Sequence, residues 1–429
     1  MRYTPIDKSF FIKNRKKLSD KLDRNSIAVF HSNDIYPTNA DGVMPFRQNN
    51  NLFYFSGVDQ ENTILLIFPD AKEIRHREIL FVLETNEHLT IWEGNKLSKE
   101  DVKSLSGIET IYWYHEFESI LKQLVYDAQC IYFDQNEHGR AEKIIDTRND
   151  RFIIACKEQF PLHSYGRLAP IVNELRSRKE KQEIEQISKA CTITKSAFEY
   201  ILPRIKPGMK EYEIEADIIQ EFIRNGSRGH AYQPIIASGA NSCILHYIQN
   251  DKICKKDDII LMDFGAEYGN YASDLTRVVP VSGTFTNRQK NVYLSVLTIF
   301  KEIKKIIKPG ITFSELNKIA GELVSDELVH LKLVSSKELK ASKKDSSFYR
   351  KYFMHGIGHH LGLDVHDIHV KDAPLKQGMV ITLEPGIYIR EEGIGIRLEN
   401  DILLTSKGNQ DLMENIPIEI DEIEALMKK

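Results

Sequence analysis

The chain has 429 residues, a net charge of −4, and 41% hydrophobic and 28% charged residues, the profile of a soluble globular protein large enough for two domains. No basic excess offers a footprint for nucleic acid, and apolar runs such as Ile64–Phe68 fall far short of the ~20 residues that span a bilayer. The opening stretch MRYTPIDKSFFIKNRKKL has no secretory h-region, and five scattered cysteines (Cys130, Cys156, Cys191, Cys243, Cys254) with no CxxC pair read as reduced thiols, so a cytoplasmic location is expected.

In chain order, residues 1 to about 165 read as α/β, with strand-like runs at SIAVF (26–30), NTILLIF (62–68), EILFVLE (78–84) and CIYFD (130–134). The Pro161–Pro170 stretch suggests a boundary, giving an N-terminal domain over 1–170 and a second over 171–429. A helix is predicted over Lys179–Ile201 from the spacing of Ile184, Ile187, Ala190, Cys191, Ile193, Ala197 and Phe198. An internal repeat follows. Ile205-Lys206-Pro207-Gly208 and Ile307-Lys308-Pro309-Gly310 each sit between two helical stretches, and each copy leads on to a carboxylate-bearing hairpin. The predicted fold of this part is α+β, in two related halves.

The first hairpin carries Asp263 in IILMDFG and Asp274 in YASDLTRVV, with a turn at Tyr268-Gly269-Asn270. Folding about the Tyr268–Gly269 midpoint would set the two aspartates directly opposite one another. The Lys/Ser-rich stretch SSKELKASKKDSS (335–347) predicts a mobile surface loop. Beyond it, MHGIGHHLGLDVHDIH gathers His355, His359, His360, His366 and His369. Glycines 356, 358 and 362 make that segment extended rather than helical, and His355 and His359 then share one side. The last hairpin carries Glu384 in MVITLEPG and Glu399 in GIGIRLENDILL, symmetric about Glu391–Glu392. Arg397, Glu399 and Asp401 share its polar face, while Ile394, Ile396 and Leu398 take the apolar one.

Like charges opposed on neighbouring strands destabilise a sheet. A chain that opposes carboxylates twice among apolar neighbours needs cations between them. Carboxylates with one or two histidines form an oxygen-rich donor set that suits Mn²⁺, Co²⁺ or Fe²⁺ better than structural zinc. Such a set can hold a pair of ions, which is hydrolytic machinery. No GxSxG or P-loop pattern offers a rival chemistry. Taken singly, His246 and Tyr388 read as ordinary core residues.

The pieces LMDFGAEYGNYASDLTR, HGIGHHLGLDVHD, ITLEPGIY and GIGIRLENDILLT make the part from about 175 onward resemble the pita-bread metallopeptidases. With FRQNNNLFYFSGV (46–58) and IWEGNKL (91–97), nearly the whole chain is similar to the Xaa-Pro aminopeptidase (aminopeptidase P) family. The resemblance implies a creatinase-N-like α/β domain followed by a pita-bread catalytic domain with a pseudo-twofold repeat. It implies two divalent metals, with Mn²⁺ expected: Asp263 on one, Asp274 and Glu399 bridging, His359 and Glu384 on the other. A water or hydroxide shared by the metals would attack the peptide carbonyl, with Glu384 as proton shuttle. His246, His355 and His366 would position substrate and stabilise the tetrahedral intermediate, while Arg397 and Tyr388 would line the site. Trp92 resembles a tryptophan that reaches a neighbouring subunit in related oligomers, so a homodimer or homotetramer is expected. The stretch His31–Pro45 is longer than the family's usual loop. The implied activity is removal of an N-terminal residue that precedes proline. The alternatives are an Xaa-Pro dipeptidase (prolidase) and a non-catalytic binding protein on the same fold; the latter is disfavoured because all five ligand positions are filled.

Overall fold

The apolar runs of the N-terminal part become the middle of one mixed sheet. Its strands are β1 (Ser26–His31), β2 (Ile64–Ile67), β3 (Glu78–Val82), β4 (Thr110–Trp113), β5 (Cys130–Phe133) and β6 (Ser164–Arg167), in the order β4-β3-β2-β1-β5-β6. β1 runs antiparallel to β2 and parallel to β5. All its residues are buried, as expected for a strand covered on both faces. Ile27, Val29, Ile64, Leu66, Ile79 and Phe81 pack with Phe117, Leu121 and Leu124 of helix Phe117–Val125. Phe30 meets Phe55 of helix Asn50–Ser56 on the opposite side. The predicted runs are β1, β2, β3 and β5. The two unforeseen strands, TIYW and SYGR, are the sheet's edges, where partial exposure removes the continuous apolar signal.

This computed structural model describes residues 2–342 and 348–428. It divides into Pro5–Arg176 and a second unit of Ser177–Lys429 with Met1–Thr4. In the second unit the repeat takes physical form. Helices Lys181–Ile201 and Glu211–Arg224 flank the first Lys-Pro-Gly turn, and helices Asn287–Ile306 and Phe313–His330 flank the second. Gly208 and Gly310 have φ of +95° and +99°, a conformation that side chains with Cβ disfavour. Residues 336–342 form a helix where a loop is expected; the rest of that stretch, 343–347, lies outside the described residues.

The first half then lays down β7 (Ile235–Ser238), β8 (Ile259–Phe264), β9 (Glu267–Tyr268), β10 (Tyr271–Ala272) and β11 (Leu275–Pro280). The second supplies β12 (Val380–Leu383), β13 (Gly386–Ile389), β14 (Ile394–Arg397), β15 (Asn400–Leu404) and β16 (Asn409–Asp411). An antiparallel bridge between Thr276 and Glu399 joins β11 to the second half. The last hairpin has the predicted register: Ile387 faces Ile396 and Val380 faces Leu403. The first does not. Asp263 faces Thr276, and Tyr268 faces Tyr271 across Gly269 and Asn270. Both turn residues have positive φ, +58° and +70°, so the tight turn centres between them, as in a type I′ hairpin. The register is thus displaced from the expected one by two residues. A two-residue displacement preserves the face, so both aspartates still point the same way without being directly opposed.

Candidate metal centre

β8 presents Asp263, the segment ahead of β11 presents Asp274, the link from β12 to β13 presents Glu384, and the link from β14 to β15 presents Glu399. Donor atoms of Asp274, His359 and Glu399 all lie within 4.8 Å of one another. His359 Nε2 is 3.5 Å from Asp274 Oδ2 and 3.8 Å from Glu384 Oε1. Asp263 joins through Tyr232, whose hydroxyl is 2.6 Å from Asp263 Oδ1 and 2.5 Å from Asp274 Oδ1. Around this cluster runs a chain of donors. Arg397 donates to Asp263, to Thr276 Oγ1 at 3.1 Å and to the Tyr388 hydroxyl at 2.9 Å. Thr276 donates to Glu399 Oε2 at 2.6 Å. Tyr388 lies 2.7 Å from His355 Nε2, and His355 Nδ1 lies 2.8 Å from the Gly356 carbonyl. With Nδ1–H given to that carbonyl, Nε2 accepts the tyrosine proton.

The cluster is overloaded with negative charge. Burial, followed by the neighbouring carboxylates, pushes Glu399 well up, and it raises Asp263 against the pull of Arg397. Glu384 is pushed up to about 7 by burial, opposed by His359 and Arg397. Burial pulls His359 down, but its hydrogen bond to Asp274 and the charges of Glu384 and Asp274 win, leaving it at about 9. Burial, then Arg397, holds His355 down at about 3, so it is neutral. The Tyr232 hydroxyl has one proton for two carboxylates, so the set calls for cations as well as protons. The histidine fits a cation too: His359 Nδ1 gives its proton to the His360 carbonyl at 3.0 Å, which directs Nε2 to the carboxylates. An imidazole oriented this way by a backbone carbonyl is the usual support of a metal-ligating histidine. The donor set therefore fits divalent metal.

His366 stands with its ring edge-on to His359, centroids 4.3 Å apart. His246 is exposed. His355 and His359 both face Glu384. His360 and His369 stack on each other at 4.4 Å. Trp92, on helix Glu87–Glu93 of the other unit, is 76% exposed, and no residue of that helix is buried. Two contributors escaped the sequence reading. Thr276 could have been found, since it follows Asp274 by two positions and shares its face. Tyr232 left no signal, because it reaches the aspartates from a loop far upstream.

The family model for metallopeptidase family M24 matches residues 185–406, and that for the aminopeptidase P N-terminal domain matches 11–132. Xaa-Pro aminopeptidase of Escherichia coli K12 is 31% identical, over 98% of each chain. Two solved structures each cover 99% of both chains at 30% identity: a glutamate-to-alanine variant of E. coli aminopeptidase P in complex with substrate, TM-score 0.89, and the Zn-substituted enzyme in complex with product, TM-score 0.90. Matched by both models and over 98% of its length, with a donor set drawn from both repeats of the Ser177–Lys429 unit, the chain belongs to metallopeptidase family M24, in its aminopeptidase P branch.

Proposed function

We propose that the protein is a metal-dependent exopeptidase that releases the N-terminal residue from peptides with proline in second position. The observation that carries this is the convergence of carboxylates from both halves on His359 Nε2, in a chain similar to Xaa-Pro aminopeptidases from end to end. A bond to proline is a tertiary amide with no N–H, and it exists as cis or trans. It therefore needs a dedicated site.

In this reading Asp263, Asp274, His359, Glu384 and Glu399 hold two divalent ions, with Mn²⁺ as the native metal. When bound, ions at such a site lower the pKa of a water and polarise a carbonyl. Glu384 accepts a proton at its carboxylate and returns it to the proline nitrogen. Arg397, pinned by Asp263 and Tyr388, and neutral His355 orient the substrate with His246 and His366. Residues 1–170 and 171–429 act as accessory and catalytic domains. Exposed Ile91 and Trp92 (73% and 76%) support a homodimer or homotetramer, and five free cysteines support the cytoplasm. No helix among the described residues is long and apolar enough to cross a membrane.

Specificity constants for Ala-Pro and Ala-Pro-Ala at matched Mn²⁺ test the reading. An aminopeptidase leaves room beyond the proline, so the tripeptide should be cut at least as well. An uncut tripeptide beside a cleaved dipeptide would replace this assignment with Xaa-Pro dipeptidase.

A further inference from the structure

Lys179 and Asp367 form a buried ion pair that the chemistry above does not use. Lys179 Nζ lies 2.8 Å from Asp367 Oδ2, and both side chains are 1% exposed. An apolar pair of similar volume would be at least as stable, so stability alone does not account for these charges. What they touch does. The Asp367 N–H donates to the His360 carbonyl at 2.8 Å and the Gly362 N–H to the Asp364 carbonyl at 3.0 Å, closing a turn over residues 360–367. The Ala272 N–H holds that turn through the Gly362 carbonyl at 2.8 Å, while the Lys179 N–H is fixed to the Gly378 carbonyl at 2.7 Å. A Cβ on Gly362 would stand 2.2 Å from Asp367 Oδ2 and 2.8 Å from Lys179 Cε, so the turn is shaped around the ion pair. His359 and His366 stand at its two ends, ring against ring.

We propose that the Lys179–Asp367 pair is a positioning device: it holds the 360–367 turn closed so that His359 meets Asp274 and Glu384 with His366 against it. The proposal rests on the reading of His359 as a metal ligand.

The test uses the full-length, metal-free chain, with thermal unfolding for stability and calorimetric titration of Mn²⁺ for affinity. Lys179→Met leaves the Asp367 carboxylate buried without its lysine, so the apo midpoint should drop. Lys179→Met with Asp367→Leu removes both charges and should restore that midpoint. It should nonetheless bind Mn²⁺ roughly tenfold more weakly or worse, the usual loss when a partner behind a ligand is removed. A purely structural pair predicts the reverse, full affinity once stability returns, and that result overturns the proposal. If the double variant stays unstable, Lys179→Arg decides. It keeps the charge with a different reach; weakened Mn²⁺ binding in a folded chain supports positioning, and parental binding overturns it. A parent chain that binds no divalent ion would sink the metal reading itself, a failure distinct from a bound parent matched by the double variant.

Discussion

One carboxylate and two histidines carry the residue-scale predictions. On the proposed reading, Glu384→Gln keeps the shape but removes a ligand charge and a proton acceptor, so the turnover number should fall by roughly 10²–10⁴-fold or more. Near-parental turnover at full metal occupancy would remove Glu384 from the centre. His366→Ala should lower turnover while leaving metal content intact; metal lost along with activity would make His366 a ligand. In the other unit His31 lies in the core, its ring 4.5 Å from that of Phe152 and 5.5 Å from that of Phe117, with no partner for either ring nitrogen among the described residues. Burial, helped by Arg148 and Arg151, lowers it from 6.5 to about 3. In that window the unfolded chain takes up a proton that the fold refuses. The contribution is therefore present above pH ~6.5 and lost as pH falls toward ~3, with a full size on the order of 5 kcal/mol. Replacing it by phenylalanine should flatten the acid limb of denaturant-unfolding midpoints between those pH values. Parallel limbs would show that His31 does not titrate there.

Among elements, the repeat turns and the hairpins behave differently. Gly208 and Gly310 hold positive φ with nothing within 4 Å of where a Cβ would sit, so alanine there meets only backbone strain, about 1–2 kcal/mol each. Equal losses in both variants, read as shifts in unfolding midpoint, would mark the two turns as equivalent. A null effect at either would show that its turn relaxes. These turns were legible because Pro-Gly fixes backbone geometry locally. The last hairpin was legible for a related reason: its polar tip, closed by Gly393 at φ +64°, allows one centre. The first hairpin offered Tyr268-Gly269-Asn270, and only the backbone decides that Gly269 and Asn270 occupy the corner. Nothing in sequence spacing conveys that Tyr232 threads between two aspartates, or that Arg397 reaches Asp263 from another strand, because such contacts form only once both halves are packed.

The whole molecule holds its metal-type cluster, among the described residues, in the Ser177–Lys429 unit. Mn²⁺ should raise the melting temperature of the intact chain, since an ion that binds only the folded state stabilises it by mass action. An isolated 5–176 fragment should fold on its own core and ignore the metal; a fragment that melts higher with Mn²⁺ would place a second site there. The bridge from Thr276 to Glu399 has a wider consequence. The proposed catalytic centre is a seam between two stretches of chain, with Asp263 and Asp274 before the Val281–Thr286 connection and His359, Glu384 and Glu399 after it. Cleaving that connection, or encoding its sides as separate polypeptides, would leave neither piece with a working ligand set. Activity would then depend on the product of the two concentrations, making the enzyme a reporter of its own reassembly.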